Sequence, residues 1–203
     1  MKININDKST HPTLPALARS LADYTSTALI IPRLQGEAMP DIMNQLCQVL
    51  HQTDGLRQEV LFDSLKALNR ELLTGMALDF GACFPTVHVQ GLQRPCFALG
   101  RTAGPLAWRA RFCPPIEFVF LAVAPDPSTK ESQQLAATLR WLGRDCLYLN
   151  ELGGSRTAEQ MHAALARFPI VGAEQLAQSQ AHLWGERYSH TTTYSGRARL
   201  ARR

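Results

Sequence analysis

A short apolar run bounded by prolines constrains the fold of this chain more than any other feature. Residues 117–123 read EFVFLAV, with prolines at 114 and 115 before them and at 125 after them. A continuous apolar run of this length, without alternation of polar residues, is typical of a strand that is buried on both faces. Such a strand lies inside a sheet that is covered on both sides, so the run predicts a central strand.

Amphipathic segments stand on either side of this run. Apolar residues recur at helical spacing in five segments: 37–52, 58–73, 128–142, 157–167 and 173–184. Two of these helices are predicted to begin with capping boxes, STKE from Ser128 and TAEQ from Thr157. Shorter apolar segments predict further strands at 27–31, 96–101 and 168–171. The order predicts a three-layer α/β/α fold, with a mixed central sheet and helices on both faces.

The two ends of the chain differ from this middle part. We expect an N-terminal leader over residues 1–24, a single domain over 25–171, and a C-terminal helix with a basic tail over 172–203. From Arg187 onward every charged side chain is an arginine. A solvated chain end is the simpler interpretation of such a tail, and we expect no nucleic-acid partner.

Cysteine usage and hydropathy indicate a cytoplasmic protein. The five cysteines are odd in number and show no C-x-x-C spacing, which argues against disulfides and against a zinc site. The first eight residues are polar, and no apolar run approaches the roughly 20 residues that span a membrane, so neither a signal peptide nor membrane insertion is expected. Nucleotide-binding and hydrolase motifs are absent from the sequence, and no cofactor or metal is expected.

The glycine- and proline-rich middle of the chain resembles a known family. Residues 74–101 read TGMALDFGACFPTVHVQGLQRPCFALGR, and PLAW at 105–108, IEFVFLAVAP at 116–125 and ESQQLA at 131–136 follow, with NRE at 69–71 before them. In this order and spacing the motifs resemble the fructose/mannitol/nitrogen-type EIIA domain of the bacterial phosphotransferase system (PTS). The resemblance extends over about residues 25–170.

The resemblance implies a site, and this chain departs from the family pattern there. EIIA domains carry phosphate on a histidine, with a second histidine close by and an arginine that balances the phosphoryl charge. On the aligned motifs, Thr86 replaces the first histidine, Ser132 replaces the second, and Arg70 retains the arginine. A hydroxyl is a poor nucleophile without an adjacent base. The resemblance therefore implies a nitrogen-regulatory EIIA-like protein that cannot be phosphorylated and that acts as a regulatory or protein-interaction module.

Two other functions stay open. His88 lies two residues after Thr86, about 6–7 Å away if the segment is extended, and could serve as a substitute acceptor in an active phosphocarrier. Alternatively, the depression could bind a small anion through Arg70 and backbone N–H groups. Asp79 is interpreted equally well as a partner of Arg70 or as a turn residue. The implied partners are PTS proteins or a regulated kinase or transporter, and a homodimer is a further alternative.

Overall fold

The computed structural model describes residues 20–36, 38–54, 56–57, 59, 61, 63, 81–106 and 115–172. It begins with two 3-10 helices, Leu21–Tyr24 and Thr27–Leu29. The strands are β1 (Ile30–Leu34), β2 (Ala82–Cys83), β3 (Thr86–His88), β4 (Cys96–Leu106) and β5 (Ile116–Ala124). The α-helices are α1 (Met39–Asp54), α2 (Lys130–Leu142), α3 (Cys146–Gly154) and α4 (Ala158–Ala166).

The strands form one mixed sheet around β5. The order is β1-β4-β5-β2, and β3 also pairs with β5. The pairing of β5 is antiparallel with β4 and parallel with β2 and β3, while β1 runs parallel to β4. Every side chain from Phe118 to Ala124 is buried. The predicted central strand is therefore confirmed.

Successive residues of β5 point into two different hydrophobic cores, as the alternation of a strand requires. Phe118 and Phe120 pack on one face with apolar side chains of α2, α3, α4 and the first 3-10 helix. Val119 and Leu121 pack on the other face with those of α1. The sheet thus has helices on both faces, and the predicted α/β fold is confirmed.

The first strand begins later than predicted. Residues 27–29 form a 3-10 helix, and β1 runs through Pro32 instead of ending there. Proline has no N–H to donate, but it is tolerated in an edge strand or at an irregularity. Among the described strands β1 pairs only with β4, and its register shifts between Ile31 and Leu34, so the missing N–H of Pro32 leaves the ladder intact.

The helices after β5 begin with side-chain caps. The cap of α2 is Thr129, one residue later than predicted, and its hydroxyl accepts a hydrogen bond from the Ser132 N–H. The cap of α4 is Thr157, as predicted, and it accepts from the Gln160 N–H. Each cap satisfies one N–H at a helix start that would otherwise lack a partner.

The remaining parts of the prediction have different outcomes. Helix α3 was not predicted, and residues 168–171 form an isolated bridge between Pro169 and Ser20 rather than a strand. The predicted helix 173–184, most of the predicted helix 58–73 and the chain before residue 20 lie outside the described residues. Within the described part, no helix has the length and hydropathy that a membrane span needs.

Candidate functional site

Strand β3 brings Thr86 and His88 to one edge of the sheet. Thr86 pairs with Ala122 and His88 with Ala124, the last residue of β5. Because β3 and β5 are parallel, their carboxyl ends meet at the same edge, and α2 begins a short turn beyond it. In open α/β sheets this edge is the usual place for a functional site.

The segment before β3 is fixed to β5 by backbone contacts at Gly81 and Pro85. Gly81 has a φ of +79°, and a Cβ at this position would lie 2.7 Å from the Pro115 carbonyl oxygen. The Gly81 carbonyl accepts a hydrogen bond from the Glu117 N–H at 2.6 Å. The Pro85 carbonyl accepts another from the Ala122 N–H at 2.8 Å. These contacts set the register that places Thr86.

Ser132 lies in the first turn of α2 and is enclosed. The residue is 5% exposed. Its hydroxyl oxygen lies 2.6 Å from that of Thr129, a hydrogen-bond distance, and its N–H donates to the same Thr129 oxygen at 3.3 Å. Ser132 is therefore part of the helix cap, and its hydroxyl already has a partner.

Thr86 and His88 differ from Ser132 in their exposure. Thr86 is half-buried and His88 is exposed, while Val87 between them is buried in the core that α1 covers, so the two site residues share the opposite side of β3. Within the described residues the His88 ring makes no hydrogen bond. It is therefore available for contact from outside.

Asp126 adds a negative charge near His88, just after β5. The pKa of its carboxyl lies below the usual value, chiefly because Ser128 donates hydrogen bonds to the carboxylate, with a smaller contribution from the charge of His88. The Ser128 N–H lies 2.7 Å from the carboxylate. An imidazole and a carboxylate thus stand together on the exposed edge.

An ion pair that the sequence did not point to joins the loop after β3 to the first turn of α2. The Arg94 guanidinium, in the loop between β3 and β4, lies 3.2 Å from the Glu131 carboxylate in the first turn of α2. Both side chains are more than one third exposed, so the pair contributes little to stability. An arginine in a loop and a glutamate at a helix start are each common, and their sequences carry no signal that they meet.

The structure leaves part of the expected site untested. Arg70 and Asp79 lie outside the described residues, so the convergence of Arg70 with Thr86, His88 and Ser132 stays a prediction. In the described segments no group of three or more histidine, cysteine, aspartate or glutamate residues could hold a metal ion.

Comparisons with known proteins identify what this arrangement resembles. No family model matches the chain. A nitrogen regulatory protein of Bradyrhizobium diazoefficiens is 24% identical over 153 residues, which cover 75% of this chain and 99% of the relative. The crystal structure of the nitrogen regulatory protein IIA-Ntr from Neisseria meningitidis has a TM-score of 0.63 at 20% identity and covers 71% of this chain and 98% of that chain.

A second solved structure agrees with the first. IIA mannitol from Escherichia coli has a TM-score of 0.56 at 14% identity, over 70% of this chain and 98% of that chain. At identities this low the structural likeness establishes the fold alone. The resemblance predicted from the motifs is confirmed: this chain has the fold of the PTS EIIA domains and is similar in sequence to a nitrogen regulatory protein.

Proposed function

We propose that this EIIA-like chain is a regulatory protein of the nitrogen-regulatory type that acts by contact with protein partners and does not carry phosphate. The burial and hydrogen bonding of the Ser132 hydroxyl support this proposal more than any other observation. The resemblance aligns Ser132 with the family's second histidine. The Ser132 hydroxyl is buried and lies 2.6 Å from the Thr129 hydroxyl, with which it forms a hydrogen bond at the start of α2.

The chemistry of Thr86 supports the same function. A phosphocarrier needs a nucleophile with a lone pair available near neutral pH, which an imidazole has. A threonine hydroxyl needs an adjacent general base, and a phosphate ester on it is a poor donor for onward transfer. The other histidines among the described residues, His51 and His162, belong to α1 and α4 rather than to β3 or α2.

The edge itself suits contact with another protein. His88 and Asp126 are exposed beside each other, and neither His88 nor Thr86 is held by a hydrogen bond to another described side chain. A PTS protein, or a regulated kinase or transporter, is the partner class that the resemblance suggests. A chain that stays unphosphorylated would present one constant surface to that partner.

The second candidate function is an active phosphocarrier that uses His88. Its support is the exposure of this ring at the same edge as Thr86, where a donor protein could reach it. This candidate requires His88 to gain a phosphoryl group on a ring nitrogen.

A labelling experiment separates the two functions. The protein is incubated with phosphoenolpyruvate and the general phosphotransfer proteins of the system, and its intact mass is measured before and after acid treatment. We expect no acid-labile gain of one phosphate, while an EIIA domain that has the acceptor histidine gains it in the same mixture. A gain that is lost in His88→Ala and kept in the matched variant His162→Ala would refute the proposal and establish the phosphocarrier.

A second experiment tests the contact. Partner proteins are captured from a lysate of the native host and identified by mass spectrometry, with the wild-type chain, His88→Glu and His162→Glu as baits. We expect one partner to be retained by wild type and His162→Glu and to be lost with His88→Glu. Equal retention by all three baits would show that the edge around His88 is not the contact surface.

A further inference from the structure

A stripe of side chains on α2, outside both hydrophobic cores, ends in an exposed tryptophan. Trp141 is 46% exposed, and the half-buried Ala137 and Gln134 precede it by four and seven residues, so the three lie on one face of the helix. We call these three residues the α2 stripe. One exposed apolar side chain is common on protein surfaces and needs no explanation by itself. What lies beside the Trp141 ring therefore decides how its exposure is interpreted.

The chain passes along this stripe at the end of the described residues. The Phe168 ring packs against the Trp141 ring, with 5.4 Å between the ring centroids. Three residues later the Val171 N–H donates to the Thr138 hydroxyl at 3.1 Å, about one turn before Trp141 on α2. This stretch therefore runs antiparallel to α2, from the level of Trp141 to that of Thr138. Gly172 is the last described residue, so the chain continues from beside the α2 stripe.

The segment that follows Gly172 has apolar residues at helical spacing. Residues 173–184 read AEQLAQSQAHLW. With the rotation of about 100° per residue of an α-helix, one half of the helix carries the apolar positions 173, 176, 177, 181, 183 and 184. Gln180 is the one polar residue among them, and the other half carries only polar residues, at 174, 175, 178, 179 and 182. A helix of this length is marginally stable in water, and its stability in a protein comes mostly from packing of its apolar face.

We propose that residues 173–184 form an amphipathic helix that packs its apolar face on the α2 stripe and covers the Trp141 ring. Twelve helical residues extend about 18 Å, which exceeds the roughly 10 Å of α2 between Gln134 and Trp141. The tether is short, because Leu176 comes four residues after Gly172, and a short linker gives an effective concentration in the millimolar range. A modest apolar contact is therefore enough to hold the segment on the stripe.

A second copy of the chain or another protein is the alternative occupant of this surface. The C-terminal segment is preferred because it is attached beside the stripe and because its own apolar face needs to be packed. Its docking also fixes where the arginine-rich tail begins, since Arg187 follows Trp184 by three residues. Thr86, His88 and Ser132 are not part of the stripe, so the proposal does not depend on the proposed function.

Fluorine NMR of the full chain measures how far solvent reaches the Trp141 ring. The three tryptophans are labelled as 5-fluorotryptophan, the Trp141 resonance is identified by its absence in Trp141→Phe, and a soluble gadolinium chelate is the paramagnetic probe. Leu176→Glu places a charge in the apolar face, so we expect the segment to detach and the paramagnetic relaxation of Trp141 to rise about twofold or more. Leu183→Glu should have the same effect. Gln178→Glu is the matched control, because it adds the same charge on the polar face, and it should change nothing.

A second pair of variants tests the contact from the α2 side. Ala137→Arg places a long side chain in the stripe, while Ala136→Arg places the same side chain on a half-buried neighbour that points about 100° away. We expect Ala137→Arg to raise the paramagnetic relaxation of the Trp184 resonance about twofold, because the long side chain displaces the segment, and Ala136→Arg to leave it unchanged. Far-UV circular dichroism establishes that each variant is folded before its relaxation is compared.

Three results would overturn the proposal. The first is a Trp141 resonance with the same paramagnetic relaxation in wild type, Leu176→Glu and Leu183→Glu. The second is an equal rise for Leu176→Glu and Gln178→Glu. The third is protection of the Trp141 ring that is lost when the wild-type chain is diluted, which would assign the covering contact to a second copy of the chain.

Discussion

The close approach of β1 to β4 at Gly100 gives a sharp prediction about stability. A Cβ added at Gly100 would lie 2.3 Å from Leu34 Cδ1 and 2.7 Å from Leu34 Cγ, far inside van der Waals contact. Leu34 is fully buried, so its side chain has no free space to move into. The position falls in the ALGR segment of the resemblance, and this contact explains why a glycine is needed there.

The expected magnitude follows from overpacking. Gly100→Ala should lower the free energy of unfolding by about 1–3 kcal/mol, because the new methyl group forces Leu34 off its rotamer. Leu34→Ala alone should lower it by about 2–5 kcal/mol, since it leaves a cavity. In the double variant the new methyl group enters the vacated space, so the total loss should be smaller than the sum of the single losses by about 1–3 kcal/mol.

Urea denaturation followed by circular dichroism measures the free energy of unfolding of wild type, the two single variants and the double variant. Gly104→Ala is the matched control, because it lies on the same strand and an added Cβ meets nothing within 4 Å. We expect this control to change stability by less than about 0.5 kcal/mol. Additive losses in the double variant, or equal losses for Gly100→Ala and Gly104→Ala, would refute the steric explanation.

Three further predictions concern the supports of the fold. Gly81→Ala should lower the free energy of unfolding by about 1–3 kcal/mol, since it combines a positive φ with a clash at the Pro115 carbonyl; an unchanged thermal midpoint would contradict this. Thr138→Val should cost about 1–3 kcal/mol in urea denaturation, because the buried Val171 N–H loses its acceptor at 3.1 Å, and Thr138→Ser should restore most of it. Stability should fall as the pH rises from 10 toward 12, because the unfolded Tyr24 phenol ionises first; a Tyr24→Phe chain that loses stability as steeply as wild type over this range would disprove it.

The sequence predicted best the elements whose burial leaves a local pattern. The apolar run of β5 identified the centre of the sheet, because a strand with a core on each face cannot alternate with polar residues. The cap of α4 was predicted at Thr157 because its side-chain chemistry is local. Both features depend on residues that are close together in the sequence.

Elements that depend on distant contacts were missed. Helix α3 has only nine residues and ends in two glycines, so its local helical signal is weak. It is held in place by Tyr148, whose ring lies 4.5 Å from that of Phe168 and whose hydroxyl donates to the Ala164 carbonyl. The depression that residues 23–26, Leu29, 56–57 and 89–96 line combines four separate segments, and no single one of them predicts it.

The resemblance named the residues of the candidate site, and their roles stay predictions. The resemblance placed Thr86 and Ser132, and the structure brings their strand and helix to one edge of the sheet. The sequence could not show that the Ser132 hydroxyl is enclosed, because this depends on Thr129 rather than Ser128 being the cap.

The enclosure of Ser132 limits which side chains can replace it. A single substitution that introduces an imidazole at position 132 would have to fit a ring into a space that is 5% exposed and would break the contact with Thr129. The same mutation would therefore weaken the first turn of α2. Position 132 is thus constrained by the helix start itself, and substitutions there carry a cost in folding stability.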